Sequence, residues 1–512
     1  MTRLAWASLG LFLLHLPLLI WVEGEFTDGV LQVAYFDPPT YVVAEGAGPA
    51  RYVPPGYPAL IRVAALMGLE GHVAGRLLSM AAHALTAYIL AWVAWRLARD
   101  PKHNLPETEF PWLVWSLWAL SPMGNRWSFH AMSDMTFCLF ATLAVGCFLV
   151  CNLSVCPART IPRLWLLGNL AGIAAFGTRY QGMALAPIAL FSLLILHLRG
   201  RGARTSPWPL STAGVLWVGA VAALWGGFTI HEQQFAERTH EFALYRDFAV
   251  AGLRALPYAV TPPLLLLGCI GLFRAVAWGK VGMTWAFLGL LGGVLGLILQ
   301  TRFLSFQFRY GLPLLPWLCL LAGSGAAWLP RFYSRAAWGF TALWLLVLSS
   351  AVLYYQHETF ADMARLAREV PKHRKAGGIL WACEEYNPDY RNVKVSVWSG
   401  QSARWLAADS LGQVKPGDLL FDSNIYSIPT ELLQQLRRRF KLTVVAEATS
   451  ETVPLFPGEF LRIPVGPPGQ ERTLVIGSQP EVMAYRFIRQ YYASVLYRVT
   501  GATPGNEETG QR

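Results

Sequence analysis

Apolar runs long enough to cross a bilayer, about 20 residues each, recur from Leu4 to Tyr355 and then stop. Short charged clusters separate them, so the pattern predicts spans near 4–22, 73–95, 110–122, 132–151, 164–178, 182–198, 210–230, 257–273, 283–300, 311–329 and 336–355. The shortest are 110–122 and 164–178. The first run follows Arg3 and meets Glu23-Gly24-Glu25 instead of a small-residue cleavage site, which reads as an uncleaved span and not a signal peptide. Residues 25–72 and 231–252 mix apolar and charged positions, as in helices lying flat on a membrane. Within the first, Pro54-Pro55-Gly56-Tyr57-Pro58 predicts an extended surface segment. Beyond 356, strand-like alternation at Lys394–Trp398, Asp418–Phe421 and Leu442–Ala446 surrounds a helical stretch at Pro429–Phe440. The residues after about Gly501 are polar and predict disorder. The expected fold is therefore a polytopic α-helical membrane protein with about 11 transmembrane helices in residues 1–355, followed by a small extracytoplasmic α/β domain in 356–512.

Composition agrees, since 54% hydrophobic against 14% charged residues excludes an ordinary soluble domain. The net charge of +11 comes mainly from loops, where it sets orientation and calls for no nucleic-acid partner. With the N-terminus inside, one alternation puts Arg96/Arg99/Lys102, Arg159/Arg163, Arg199/Arg201/Arg204, Arg274/Lys280 and Arg331/Arg335 on the cytoplasmic side. The C-terminal domain then lies outside, and a multi-pass protein of a bacterial inner membrane is the expected setting. The cysteines fall mostly in apolar runs, and no CxxC or Cys/His spacing marks a metal site, HExxH included.

Ionisable residues near span ends at membrane depth are costly and mark candidate chemistry. Asp28, in Glu25-Phe26-Thr27-Asp28-Gly29, and Asp134, opening the fourth span, face the same outer side on this topology. A helix cap is the plain alternative for each. Arg126, Arg179, Arg302 and Arg309 are the cations there, and arginine forms bidentate bonds to phosphate, although snorkelling to headgroups explains each singly. Arg179-Tyr180-Gln181 joins two spans by a tight turn, and Arg309-Tyr310 opens another span. His130, four residues before Asp134, is placed to orient it or simply to make a buried polar contact.

As an ordered set these residues resemble the GT-C glycosyltransferases, the superfamily of protein O-mannosyltransferases and bacterial aminoarabinose transferases. The matching parts are Glu25 and Asp28, the Pro54-Pro55 segment followed by Gly75-Arg76-Leu77, Ser133-Asp134, Thr178-Arg179-Tyr180, and Arg309-Tyr310 through Pro316. The match covers most of residues 20–320. It departs where many relatives carry adjacent Asp-Glu and a His before the proline pair, because here Gly29 follows Asp28 and Val53 precedes Pro54. Glu25 is thereby a rival for the catalytic role. The resemblance implies inverting transfer of a hexosyl or pentosyl unit from a polyprenyl-phosphate donor to a glycan, lipid or protein acceptor hydroxyl. Asp28 would be the base, Arg179 and Arg309 would steady the phosphate, and Asp134 would orient the acceptor or an arginine network. Arg76, His130, Tyr180, Arg302 and Tyr310 are further substrate-binding candidates. No cofactor is implied, and a divalent metal is left open. A transporter or flippase of lipid-linked substrates is the competing class; it would show repeated halves and helices broken near the bilayer middle.

Overall fold

A computed structural model describes residues 1–25, 27–35, 53–199, 211–226, 229, 261–277, 289, 308–387, 390–453, 455, 462–465, 472–475 and 489–502. Among these, six helices are long and apolar enough to span a membrane. They are α1 (Thr2–Trp21), α4 (Gly71–Arg99), α7 (Ser133–Cys151), α9 (Tyr180–Leu198, its first turn 3-10), α12 (Gly311–Trp328, likewise opened by a 3-10 turn) and the run beginning with α13 (Arg331–Gln356). The expected spans at 110–122, 164–178, 210–230 and 257–273 correspond to helices α5 (Glu109–Ala119), α8 (Ile161–Thr178), α10 (Ser211–Gly226) and α11 (Pro262–Ala277), which are too short or, for α8, not apolar enough to count among the six. The expected span at 283–300 lies outside the described residues except position 289, so the structure does not establish a count of eleven.

The first span is interrupted at Leu16-Pro17, where the proline removes an amide donor from the ladder. Two short helices follow it, α2 (Thr27–Ala34) and α3 (Gly56–Leu66). The extended segment expected at 54–58 is corrected here: Gly56, Tyr57 and Pro58 form the first turn of α3, where a proline needs no amide partner. Another short helix, α6 (Pro122–Ser128), starts with Ser121 Oγ accepting the Gly124 amide.

The α7 and α12 helices are buried along most of their length and form the centre, while α1, α9 and α13 expose most of theirs. A helix apolar all round belongs inside, or in lipid. Packing of α4 on α7 and α5, and of α11 on α12, closes the core around Leu90, Val114, Trp118, Phe148 and Leu320. The arginine-bearing ends come together: Arg274 donates to the carbonyls of His103 (3.0 Å) and Asn104 (3.2 Å), and Arg199 to that of Asn152 (3.0 Å). Candidate acids gather at the opposite end.

The chain then forms α14 (Ala361–His373), β1 (Leu380–Ala382), the hairpin β2 (Glu385–Asn387) and β3 (Tyr390–Arg391), α15 (Val393–Ser399), β4 (Ala403–Trp405), β5 (Leu419–Ser423), α16 (Thr430–Arg439), β6 (Phe440–Thr452), β7 (Arg462–Val465), β8 (Arg472–Val475) and β9 (Gln490–Ala502). The main sheet runs β4-β1-β5-β9-β6, with β1 parallel to β4 and β5 and with β9 antiparallel to β5 and β6. Side-chain alternation along β5 sends Leu419 and Phe421 towards α14 and Leu420 towards α16, so helices cover both faces. The strand expected at Lys394–Trp398 is instead α15. Its Lys394, Val395 and Ser396 are consecutively buried against neighbouring helices, which a one-faced strand cannot achieve, and Gly400 ends it in the left-handed conformation.

This domain is fastened to the candidate end of the bundle. Arg365 of α14 donates to Glu23 and, at 2.8 Å, to Glu358, while Trp21 stacks on His357 with ring centroids 4.4 Å apart. A Cβ at Gly24 would lie 1.8 Å from the Thr359 carbonyl oxygen, so only glycine permits the approach. Helix α15 packs on α2.

Candidate active site

Glu25 is the hub of this end. It is 0% exposed, and its two oxygens collect donors from separate elements. Oε1 accepts His130 Nδ1–H at 2.9 Å, and Oε2 accepts the Ala131 amide at 2.9 Å and Arg76 Nε at 3.4 Å. Arg76, one turn inside α4, also donates to the carbonyls of Val22 and Gly24 (2.8 Å), so it clasps the chain as it leaves the first span. Arg126 Nη1 meets His130 Nε2 at 2.9 Å. Because a guanidinium only donates, Nε2 must accept, which leaves the proton on Nδ1 facing Glu25 and makes the imidazole neutral. Burial pushes the His130 imidazolium below its ordinary range, and Arg126 and Arg76 add to this against the pull of Glu25. Burial also opposes the Glu25 carboxylate, but His130, Arg76 and the Ala131 amide outweigh it and hold the group below the usual carboxylate range.

A second pair lies at the start of α7. Asp134, 4% exposed, takes Arg179 Nη1 on Oδ1, while its Oδ2 is buried without a hydrogen bond among the described residues. Arg179 is held in extended backbone between α8 and the 3-10 turn Tyr180–Ala184, and Tyr180 is buried against Phe176. A Cβ at Gly182 would press into the backbone of Ala175 and Phe176, which is how the turn becomes so tight. Tyr57, a residue the sequence marked only as part of an extended surface segment, is fully buried and donates to the Gly75 carbonyl at 2.8 Å. Its hydroxyl also meets Ser79 Oγ at 3.1 Å, and Ser79 reaches the Met132 carbonyl at 3.3 Å, tying α3 and α4 to the irregular segment before α7. His72, one turn before Arg76 on α4, was missed as well; both ring nitrogens are buried without a hydrogen bond among the described residues.

Of the candidates, the structure brings Glu25, Arg76, His130 and Arg126 into one cluster and pairs Asp134 with Arg179. Asp28 and Arg309 are described only in their backbones, as is Tyr310; Arg302 lies outside the described residues. Asp28 sits in the first turn of α2, and a Cβ at Gly29 would lie 2.8 Å from Glu25 Cγ, so α2 rests directly on the hub. The 3-10 segment carrying Arg309 lies against α7, where Cys138 Sγ reaches the Leu312 carbonyl at 3.7 Å. Among the described residues no three His, Cys, Asp or Glu side chains converge as a metal site.

The bundle and its capping sheet domain share their fold with solved structures of other proteins. The protein is similar to ArnT from Cupriavidus metallidurans bound to undecaprenyl phosphate, at 12% identity and a TM-score of 0.55 over 87% of this chain and 96% of that one. It is also similar to the oligosaccharyltransferase AglB from Archaeoglobus fulgidus in complex with an inhibitory peptide and a dolichol-phosphate, at 10% identity and a TM-score of 0.51 over 93% of this chain and 74% of that one. Likeness to the mycobacterial arabinofuranosyltransferase AftD spans 98% of this chain but 40% of that one, at 15% identity and a TM-score of 0.50. No family model and no curated protein sequence matches the chain.

Proposed function

We propose that this protein is a membrane glycosyltransferase that takes a sugar from a polyprenyl-phosphate donor and passes it to an acceptor hydroxyl at the outer face. The observation that carries the reading is the set of charges at this end, where Arg76 bonds to Glu25, Arg126 to the neutral His130 and Arg179 to Asp134, three arginines to two carboxylates. That positive surplus, beneath a docked domain, suits a phosphate-bearing lipid headgroup. The fold likeness to structures holding undecaprenyl phosphate or dolichol-phosphate supports the same donor class.

In this reading the roles of the two first-loop acids separate. Glu25 has both oxygens engaged and no exposed surface, so it positions Arg76, His130 and the start of α7. Asp28, one helical turn further on, is the general base that takes the proton of the acceptor hydroxyl. The acceptor oxygen then bonds to the anomeric carbon as the bond to the phosphate oxygen breaks with inversion, and the polyprenyl phosphate leaves as an anion needing no acid. Arg179, aimed by Asp134, and Arg309 steady its charge. Arg76, Arg302, Tyr180 and Tyr310 shape the headgroup site.

The positive-inside bias places the arginine-rich end in the cytoplasm and the C-terminal domain outside. Reporter fusions at Gly202 and after Val370 are expected to give opposite signals; equal signals overturn the orientation. The activity test is transfer of labelled sugar from polyprenyl-phosphate donors by the purified protein. Failure with every such donor, together with movement of a labelled lipid-linked sugar across vesicles, would establish the transporter class instead.

A further inference from the structure

The C-terminal domain buries a lysine that its own fold does not satisfy. Lys394 of α15 is 0% exposed, and its Nζ makes no hydrogen bond among the described residues. Nζ lies 3.9 Å from the ring centroid of Phe360 and 5.1 Å from that of Tyr426. The nearby carboxylate of Asp362 is already engaged by Ser494 Oγ at 2.6 Å and Ser450 Oγ at 3.0 Å, so it lends Lys394 a favourable field but no bond. A second donor beside it is also unused: Asn392 Nδ2 is buried without an acceptor, while Asn392 Oδ1 takes the Glu384 amide at 2.9 Å. Buried ammonium and amide donors left without acceptors are costly in a native fold and are retained where a ligand supplies the acceptor.

We propose that Lys394 and Asn392 form a saccharide subsite that seats the anionic group of an acidic sugar, its carboxylate or phosphate. The aromatic surroundings fit a sugar: Phe360 and Tyr426 lie against Nζ, and the half-buried Tyr426 and Trp398 belong to one cluster with the buried Phe360 and Tyr492. Lys394 supplies the point charge, and the Asn392 amide adds direction. The placement fits the acceptor, since α15 packs on α2, the helix that carries Asp28. This use as an acceptor subsite rests on the glycosyltransferase reading; the binding itself does not.

Calorimetric titration of the full chain in lipid nanodiscs tests it, with glucuronic acid, glucose 6-phosphate, inorganic phosphate and glucose as probes. One or both acidic sugars are expected to bind, glucose at least about tenfold more weakly, and the arms separate carboxylate from phosphate preference. Binding of inorganic phosphate as tightly as the acidic sugars overturns the saccharide part, and no binding of either acidic sugar overturns the whole. In Lys394→Met the affinity for the acidic sugar is expected to fall by about tenfold or more while Tm rises or holds, because an apolar side chain suits the aromatic cage better than an uncompensated ammonium. Retained affinity in Lys394→Met overturns the subsite. If affinity and Tm both fall, Lys394→Arg decides: restored affinity supports the assignment, and failure to restore it marks a purely structural lysine. Acidic-sugar binding by a protein that transfers no sugar would leave the subsite standing and remove only its role in transfer.

Discussion

At the end of the bundle away from the sheet domain, Arg274 directs its guanidinium to the carbonyls of His103, Asn104 and Ser324, whereas at the other end Arg76 and Arg126 face Glu25 and His130. Both sets are buried, yet they do different work. Carbonyl dipoles neutralise no charge, so Arg274 is a clamp that fixes loop geometry at any pH. The Glu25–His130 pair can titrate, and it joins elements distant in sequence into one preorganised floor. The carboxylates are what separate a structural arginine from one that can serve chemistry.

The largest effect that can break this contrast is loss of the proposed base. Asp28→Asn keeps the shape of the side chain but cannot take a proton, and it is expected to slow the chemical step by roughly 100-fold to 10,000-fold with membrane insertion intact. Glu25→Gln should act differently. Removing the charge that faces Arg76 and His130 is expected to cost about 3–5 kcal/mol of stability and to lower folded yield, with a smaller fall in rate per folded molecule. The assay compares transfer at matched amounts of folded protein. Full activity in Asp28→Asn with a well-folded but inactive Glu25→Gln would move the base to Glu25.

The pH dependence of stability sharpens the same contrast. His130 is held neutral, with its folded-state pKa below the ordinary value of about 6.5. Protons therefore favour the unfolded chain, so this contribution is complete above about pH 6.5 and declines as the pH falls towards the depressed folded value. Glu25 is also depressed, which places its contribution above the ordinary carboxylate range and its loss at still lower pH. Thermal melts are expected to show stability falling from about pH 6.5 downward, and His130→Gln should remove the upper part of that fall. An unchanged profile in His130→Gln would mean that the imidazole is not the group protonated.

A smaller effect is expected at Gly29. An added Cβ would lie 2.8 Å from Glu25 Cγ and 2.9 Å from Cδ and Oε1, so either the hub or α2 must move. Gly29→Ala is expected to reduce transfer by about tenfold through misplacement of Asp28, while Gly10→Ala, with nothing within 4 Å, should leave it unchanged. Equal rates in both variants would show that α2 tolerates displacement.

Gly29 also shows where sequence reading stops. The glycine after Asp28 was legible only as a departure from the adjacent Asp-Glu of relatives. Its physical reason, the Glu25 side chain occupying the space a Cβ would take, is a tertiary contact. Apolar periodicity disclosed the long helices because lipid and core impose the same requirement on each residue along them. It gave the basic ends for the same reason. It missed α15, because Val393, Val395 and Val397 alternate like a strand while burial by α14 and α2 decides for a helix. Glu25, Arg76 and His130 were each visible as candidates. Their convergence was not, since it depends on how α4 and the segment before α7 pack.

The smallest effect on turnover is expected at Arg274, and it tests the contrast from the opposite side. Its contacts at 3.0, 3.2 and 3.3 Å are all to backbone carbonyls of the His103-Asn104 turn and of α12. Arg274→Met retains much of the apolar stem but leaves those carbonyls without their donor, a loss on the order of 1–3 kcal/mol. That should appear as less folded protein and a lower Tm. Because no carboxylate or imidazole among the described residues joins this arginine to the site end, the rate per folded molecule is expected to stay within about twofold of the unmodified protein, about 0.4 kcal/mol in barrier. The measurement is transfer rate normalised to folded protein, made alongside Arg76→Met, which should lose both folding and rate. A large fall in normalised rate for Arg274→Met would show that the two ends are coupled through the helices, and the division into a structural end and a chemical end would have to be given up.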